Sequence, residues 1–151
     1  MKIILYTALF SICMLLFGCD IETAGDGTFD GNWQLRSIET LATGKQTDMS
    51  RSYIYWGIEN TLLQVRDIDH EDYHDDRGLV IFFRLTHKNN HLQLREPYKS
   101  ITKDKLDPLE DATLLTPMGI ANTAEDFLVE THTNNTLVLK SETVRLRFRK
   151  Y

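Results

Sequence analysis

The feature that most constrains the fold of this chain is a period-two alternation at its end. Three apolar residues alternate there with three arginines: Val144, Arg145, Leu146, Arg147, Phe148 and Arg149. Successive side chains of a β-strand point to opposite faces, so this pattern predicts an antiparallel strand with one buried face and one solvated face. Such a strand needs partner strands that bury their apolar faces against the same core.

Short runs of the same kind recur along the chain and supply those partners. They lie at residues 33–37, 54–58, 62–65, 79–85, 92–94, 127–129 and 137–139. Residues typical of tight turns separate many of them: Asn60, Lys88-Asn89-Asn90, Thr133-Asn134-Asn135 and Ser141-Glu142. The sequence therefore predicts seven or eight strands joined mostly by short loops.

One segment departs from this pattern. Asp107-Pro108-Leu109-Glu110 places an N-cap Asp before a proline and a Glu three residues later, which is typical of a helix start. Leu109, Ala112 and Leu115 share a helical face, and Thr116-Pro117 ends the pattern. We predict one short helix of two turns over residues 107–115.

The run at 79–85 is apolar on both faces, since Val80 and Phe82 lie opposite Ile81 and Phe83. The predicted helix is the expected cover for the outer pair. No repeat and no parallel βαβ rhythm is present, and a closed barrel removes the exposed edges that template aggregation. We predict an all-β fold, a closed antiparallel barrel of about eight strands. An open β-sandwich is the alternative.

The start of the chain is a secretion signal rather than a membrane span. Lys2 precedes an uncharged run at residues 3–17. That run has the length of a signal-peptide core and is shorter than the roughly 18–20 apolar residues of a spanning helix. Leu16-Phe17-Gly18-Cys19 resembles the lipobox of bacterial lipoproteins, although Phe17 is bulkier than that pattern usually has. The resemblance implies cleavage before Cys19 and lipidation of its thiol.

These patterns divide the chain into three parts. Residues 1–18 are the signal peptide, residues 19–30 are the lipidated Cys19 with a flexible acidic tether, and residues 31–151 are the barrel domain. Removal of the signal peptide removes Lys2 and no acidic residue, so the formal net charge of the chain changes from −5 to −6. It also removes Cys13, so with Cys19 blocked no thiol remains for a disulfide, a nucleophile or a metal site.

The residues at the beginning of the first strand resemble those of a known protein family. Asp30-Gly31-Asn32-Trp33 resembles the Gly-x-Trp start of lipocalins. With the lipobox and the strand-rich ending, the chain is similar to the small lipocalin-like lipoproteins of Gram-negative bacteria. The resemblance implies a lipocalin-like up-and-down barrel in which a basic side chain near the last strand stacks on the tryptophan. By parity we expect Lys150 to be that partner of Trp33, with Arg149 second.

The remaining residues that could bind a metal ion or catalyse a reaction do not match the pattern of a known site. The segment Asp67–Asp76 holds acids and two histidines, but Asp72 and Gly78 occupy the positions where a calcium loop needs Gly and Glu. His70 and His74 lack a third zinc ligand. No serine elbow, phosphate loop or dinucleotide motif is present. We expect no metal, no cofactor and no enzymatic activity, and the acidic charge argues against nucleic acid as a partner.

Two functions remain. The leading hypothesis is a lipid-anchored envelope protein of the outer membrane, facing the periplasm or the cell surface, whose barrel interior binds a small hydrophobic ligand or is packed. The second is a surface module that contacts another envelope protein through loops or through the arginine row Arg145, Arg147 and Arg149. We expect a monomer held at the membrane by Cys19. By alternation the interior is predicted to contain Trp33, Leu35, Trp56, Ile58, Ile81, Phe83, Leu92, Leu94, Leu139, Leu146 and Phe148.

Overall fold

The alternating segments form strands in a computed structural model of the protein, which describes residues 27–72, 77–102 and 104–151. In chain order the strands are β1 (Gly31–Thr40), β2 (Lys45–Asp48), β3 (Ile54–Glu59), β4 (Leu62–Asp67), β5 (Leu79–Lys88), β6 (His91–Thr102), β7 (Lys105–Pro108), β8 (Glu125–His132), β9 (Thr136–Lys140) and β10 (Val144–Lys150). A single-turn 3₁₀ helix, Thr116–Met118, lies between β7 and β8.

Eight of these strands close into an antiparallel barrel. The order around it is β1, β3, β4, β5, β6, β8, β9 and β10, and β10 pairs back with β1. Among the described strands, β2 pairs with the second half of β1 alone and β7 with the end of β6 alone. The predicted all-β closed barrel is therefore confirmed, and the open sandwich is not formed.

Asparagines in the left-handed backbone region shape two of the predicted turns. Asn89 and Asn90 have φ of 50° and 63° at the hairpin between β5 and β6, and Asn60 has φ of 52° between β3 and β4. Asn tolerates this region better than most residues, and two such residues in a row form the turn that matches strand twist. These turn predictions are confirmed.

The predicted helix at residues 107–115 is wrong. Residues 105–108 form β7 instead, with Leu106 opposite Ser100 and Pro108 opposite Tyr98 on β6. A capping motif contributes only about 1 kcal/mol to a helix. Pairing with β6 satisfies the backbone groups of both strands, and the local sequence does not reveal that the end of β6 needs a partner.

The outer apolar pair of β5 consequently has a different cover from the one expected. Val80 is 6% exposed and Phe82 is half-buried. Phe82 lies in register between Gln64 of β4 and Tyr98 of β6. Leu106 of β7 lines the same outer groove as Val80 and Phe82. A short strand, rather than a helix, thus forms one wall of this groove.

The core extends beyond the predicted start of the domain. Phe29, assigned from sequence to the tether, is 6% exposed and belongs to the hydrophobic core. Asp30 N donates a hydrogen bond to Gly27 O, which turns the chain into β1. The rest of the predicted signal peptide and tether, including Cys19, lies outside the described residues.

Candidate functional site: the barrel interior and its two ends

The barrel interior is filled by large side chains. All of the residues that alternation assigns to it lie in one hydrophobic core, each at most 4% exposed: Trp33, Leu35, Trp56, Ile58, Ile81, Phe83, Leu92, Leu94, Leu139, Leu146 and Phe148. Trp33 on β1 lies opposite Trp56 on β3. Period-two alternation places these side chains inward because the closed sheet leaves only one dry face.

Trp56 carries a polar atom that nothing in the described structure satisfies. Its side chain is fully buried, and the indole Nε1 has no hydrogen-bond partner among the described residues. The ring centroid lies 4.7 Å from that of Phe148 and 5.8 Å from that of Phe127, so its surroundings are aromatic. A buried donor without an acceptor costs about 1–3 kcal/mol. An acceptor atom placed here would therefore be bound favourably.

Trp33 closes one end of the barrel, which we call the floor. Its Nε1 donates a hydrogen bond of 2.8 Å to the carbonyl oxygen of the buried Phe29. Lys150 Nζ lies 5.0 Å from the centroid of the Trp33 ring and donates to Asp30 O at 3.1 Å. Arg149, the second expected partner of Trp33, is exposed and pairs in register with Gln34. The cation over the tryptophan is thus the lysine.

Two histidines complete the floor. The ring of Phe29 lies 4.8 Å from that of His87 and 4.6 Å from that of His132, measured between centroids. The His132 ring also lies 5.9 Å from Trp33. His132 is exposed on its outer side, but contact with Phe29 and Trp33 partly desolvates its ring. This partial desolvation, reinforced by the positive charges of Lys150 and His87, lowers the pKa of His132 below its ordinary value of 6.5. The neutral imidazole is therefore the form that suits this aromatic cluster.

The segment 109–124 closes the opposite end of the barrel, and we call it the plug. Leu115, Met118 and Ile120 are fully buried in the core. Gly119, with φ of 81°, lets the backbone pass closely over the barrel, since a Cβ there would lie 2.4 Å from Leu146 Cδ2. Only glycine adopts this conformation without strain.

The plug is held mainly by these apolar side chains. Its internal backbone bonds are local, for example Met118 N to Leu115 O and Ile120 N to Leu115 O. Polar links to the barrel lie at its two ends. Leu109 N donates to Pro97 O, and the buried Glu125 carboxylate accepts from the backbone N–H groups of Ala121 and Asn122. Between these ends, the described plug residues show no backbone hydrogen bond to a barrel strand.

Comparison with known proteins agrees with this geometry. Residues 13–151 match the family described as a lipocalin-like domain. The chain belongs to the lipocalin-like domain family.

Solved protein structures share the fold of this chain. The crystal structure of a lipocalin-like protein from Bacteroides uniformis has a TM-score of 0.61 and 21% identity, covering 83% of this chain and 100% of that one. An uncharacterized protein from Bacteroides eggerthii has a TM-score of 0.53 and 16% identity, covering 81% and 98%. No curated protein matches significantly.

The arginine row of this lipocalin-like domain is divided by its contacts. Arg145 contacts Glu130 through two hydrogen bonds, at 2.6 Å and 3.2 Å, and Glu39 at 2.7 Å. Arg147 and Arg149 are exposed, and neither makes a hydrogen bond or ion pair with the described residues. Two of the three arginines therefore remain available for a partner.

The acidic segment gives no metal centre in the described part of the lipocalin-like domain. Residues 73–76, with His74, lie outside that part. Burial raises the pKa of the Asp67 carboxyl at the end of β4. Within residues 27–72, 77–102 and 104–151, no three His, Cys, Asp or Glu side chains are placed to hold a metal ion. The described ranges also contain no helix long and apolar enough to cross a membrane.

Sequence reasoning missed the residues that close the lipocalin-like barrel. Phe29 stands next to a glycine-rich, acidic stretch, and Met118 and Ile120 stand in a turn-rich segment. None of these residues belongs to a periodic run. The sequence signal that could have revealed this end of the barrel is the presence of three large apolar residues, Leu115, Met118 and Ile120, within one loop. Exposed loops are mostly polar, so three such residues indicate burial.

Proposed function

We propose that this chain is a lipid-anchored, non-catalytic binding protein of the bacterial cell envelope whose barrel takes a small apolar ligand. Lipocalin-like folds are typically binding folds rather than catalytic ones. The observation that carries the proposal is the buried Trp56 indole N–H, which has no acceptor in the described part of the chain. A ligand with one carbonyl, ether or carboxyl oxygen would satisfy this donor, and its apolar remainder would contact Phe127 and Phe148.

Withdrawal of the plug would open the barrel end opposite Trp33 and give such a ligand a route into the interior. The interior is filled when Leu115, Met118 and Ile120 are in place. Withdrawal of the plug between Leu109 and Ala121 removes these side chains from the barrel without breaking a described strand ladder. An apolar ligand would replace the buried surface that the three side chains lose, so the exchange costs less than opening an empty cavity.

Native mass spectrometry of the full chain purified from its own host tests this proposal. We expect a bound apolar molecule at one copy per chain in the wild type and a several-fold lower occupancy in Trp56→Phe. The matched control is Trp33→Phe, because Trp33 Nε1 already donates to Phe29 O and makes no contribution to a ligand. Absence of any bound small molecule from the wild type would overturn the proposal.

The lipid anchor rests on the sequence around Cys19, which lies outside the described residues. A diacylglyceryl group and an amide-linked acyl chain on Cys19 would hold the barrel at the outer membrane, facing the periplasm or the cell surface. Cys19→Ala should move the protein from the membrane fraction to the soluble fraction of the cell envelope. Continued membrane association of that variant would exclude the anchor. Cys13→Ala is the control, since Cys13 lacks the small preceding residue of a lipobox.

A second candidate function is contact with another envelope protein. It is favoured by the exposed Arg147 and Arg149, whose guanidinium groups lie on the outer face of β10 without a partner among the described residues. Affinity capture with the wild type and with Arg147→Ser/Arg149→Ser compares their partners. Arg145 is kept, because its ion pairs belong to the barrel itself. An identical partner set for both proteins would reject this function.

A further inference from the structure

Two strands in the described part of the chain stand outside the closed barrel, and each of them has one edge that no other described strand pairs with. They are β2 and β7, each four residues long. An unpaired edge presents backbone N–H and C=O groups to any strand that can align with it. The four side chains of β2 are polar, whereas β7 carries Leu106, which is 50% exposed. The two edges therefore differ in what they offer a partner.

The backbone of Leu106 faces the open side of β7. Leu109 N donates to Pro97 O, so residues 97 and 109 form a hydrogen-bonded pair of the β6–β7 ladder. Hydrogen-bonded and non-bonded pairs alternate along an antiparallel ladder. Pro108 and Leu106 are therefore at non-bonded positions, and their backbone groups point away from β6. Pro108 has no N–H, which leaves Leu106 with both a donor and an acceptor on the open edge.

We propose that β7 pairs in antiparallel register with β7 of a second copy of this chain. With Leu106 opposite Leu106 of the second copy, the two residues exchange both backbone hydrogen bonds across a two-fold axis. The same register places Lys105 opposite Asp107 of the second copy, and Asp107 opposite its Lys105. In the single chain Lys105 Nζ lies 3.8 Å from Asp107 Oδ1 of the same strand, and both side chains remain largely exposed. The pairing adds to each of these charges an opposite charge of the second copy, which is the complementarity that selects this partner.

The surroundings of Leu106 add an apolar surface to this pairing. Leu106, Val80 and Phe82 form the apolar part of an outer groove of about 500 Å³ that polar residues such as Arg66 and Asp104 also line. Tyr98, opposite Pro108 and beside Phe82 in register, is 39% exposed. Exposed apolar patches of this kind mark interaction sites. The second copy would cover Leu106 and the adjoining part of the groove, where the sequence had predicted a covering helix.

Cysteine cross-linking of the full chain tests the register. In a Cys13→Ser/Cys19→Ser background, Leu106→Cys places one thiol on the proposed axis. Hydrogen-bonded antiparallel pairs have Cα atoms about 5.5 Å apart, a separation that a disulfide spans. We expect a disulfide-linked dimer under mild oxidation. The control is Gln46→Cys on β2, the other exposed edge, which should cross-link several-fold less. Met49 N donates to Arg36 O, so residue 46 stands at a non-bonded position of the β1–β2 ladder, as Leu106 does in its own ladder.

Charge-reversal substitutions in the Leu106→Cys variant test whether the partner of β7 is β7 of a second copy. Lys105→Asp places two acids opposite each other, and Asp107→Lys places two lysines opposite each other, so each change should lower the cross-linked yield several-fold. The double variant Lys105→Asp/Asp107→Lys restores opposite charges and should restore the yield. Both side chains are largely exposed, so the fold should tolerate all three variants, and circular dichroism checks this.

Two results would overturn the proposal. Equal cross-linking at positions 106 and 46 would mean random collision. A yield that does not respond to the charge exchange would mean that no specific register forms, in which case Lys105, Pro108 and the short length of β7 act to keep the edge unpaired. The proposal does not depend on a barrel ligand, because the strand edge lies on the outside of the barrel.

Discussion

Trp33 and Trp56 lie opposite each other on β1 and β3, yet only one of the two indoles has a hydrogen-bond acceptor. Trp33 Nε1 donates to Phe29 O at 2.8 Å, whereas Trp56 Nε1 is buried without a partner among the described residues. The two rings are equally buried. Trp33 therefore helps to close the barrel, whereas the indole N–H of Trp56 is the group that we propose binds an oxygen atom of a ligand.

The two tryptophans should respond differently to the same substitution. Trp33→Phe removes the hydrogen bond to Phe29 O, while Trp56→Phe removes a donor for which the described residues provide no acceptor. Both lose similar ring volume. We expect Trp33→Phe to lower the free energy of unfolding by about 1–3 kcal/mol more than Trp56→Phe. Urea denaturation of ligand-free protein measures the difference, and equal losses would contradict the assignment of the acceptor.

Gly119→Ala should destabilise the plug. The new Cβ would lie 2.4 Å from Leu146 Cδ2, in a backbone conformation with φ of 81°. Gly44→Ala is the matched control, because Gly44 also has a positive φ of 68° but has no atom within 4 Å of the added Cβ. We expect Gly119→Ala to cost about 1–3 kcal/mol more than Gly44→Ala, since overpacking adds to the shared backbone strain. Thermal unfolding of both variants measures this, and equal melting temperatures would contradict the close approach.

Because of the ion pairs of Arg145, the free energy of unfolding should change with pH in acidic solution. Hydrogen bonds from Arg145 hold the pKa of Glu130 below its ordinary value of 4.5. A lowered folded-state pKa contributes stability that is present above 4.5 and is lost as the pH falls through the folded value. The difference in unfolding free energy between wild type and Glu130→Gln should therefore be larger at neutral pH than in strong acid. A difference that does not change with pH would contradict the contact.

His132 should make the protein less stable in mildly acidic solution. Partial desolvation, with the charges of Lys150 and His87, lowers the pKa of His132 below 6.5, so the unfolded chain binds the proton more tightly than the folded one. The expected effect is small, because His132 is exposed and solvent screens its charge. Stability should fall as the pH drops from 6.5 to the lowered pKa, and this residue should contribute no further loss below that. His132→Gln should flatten the profile, whereas His91→Gln, outside the floor cluster, should not. An unchanged profile in His132→Gln would contradict the role of the floor.

The strands with strong alternation were predictable, and the elements that depend on distant partners were not. Val144 to Arg149 reads as a strand in isolation because its two faces differ so clearly. Lys105-Leu-Asp-Pro108 does not, since its local pattern favours a helix and only the unpaired end of β6 makes it a strand. The plug residues Met118 and Ile120 likewise gave no periodic signal, because they are buried by the position of the barrel end and not by their own secondary structure.

The sequence by itself determined the period-two pattern and the inward set of side chains, because both depend on alternation along a single strand. Tertiary structure alone decided that β10 returns to β1 and brings Lys150 to Trp33, that Phe29 and the plug close the two ends, and that Trp56 lacks an acceptor among the described residues. These features depend on which strands become neighbours after the sheet closes. Closure brings together residues far apart in the chain, and no local pattern records that distance.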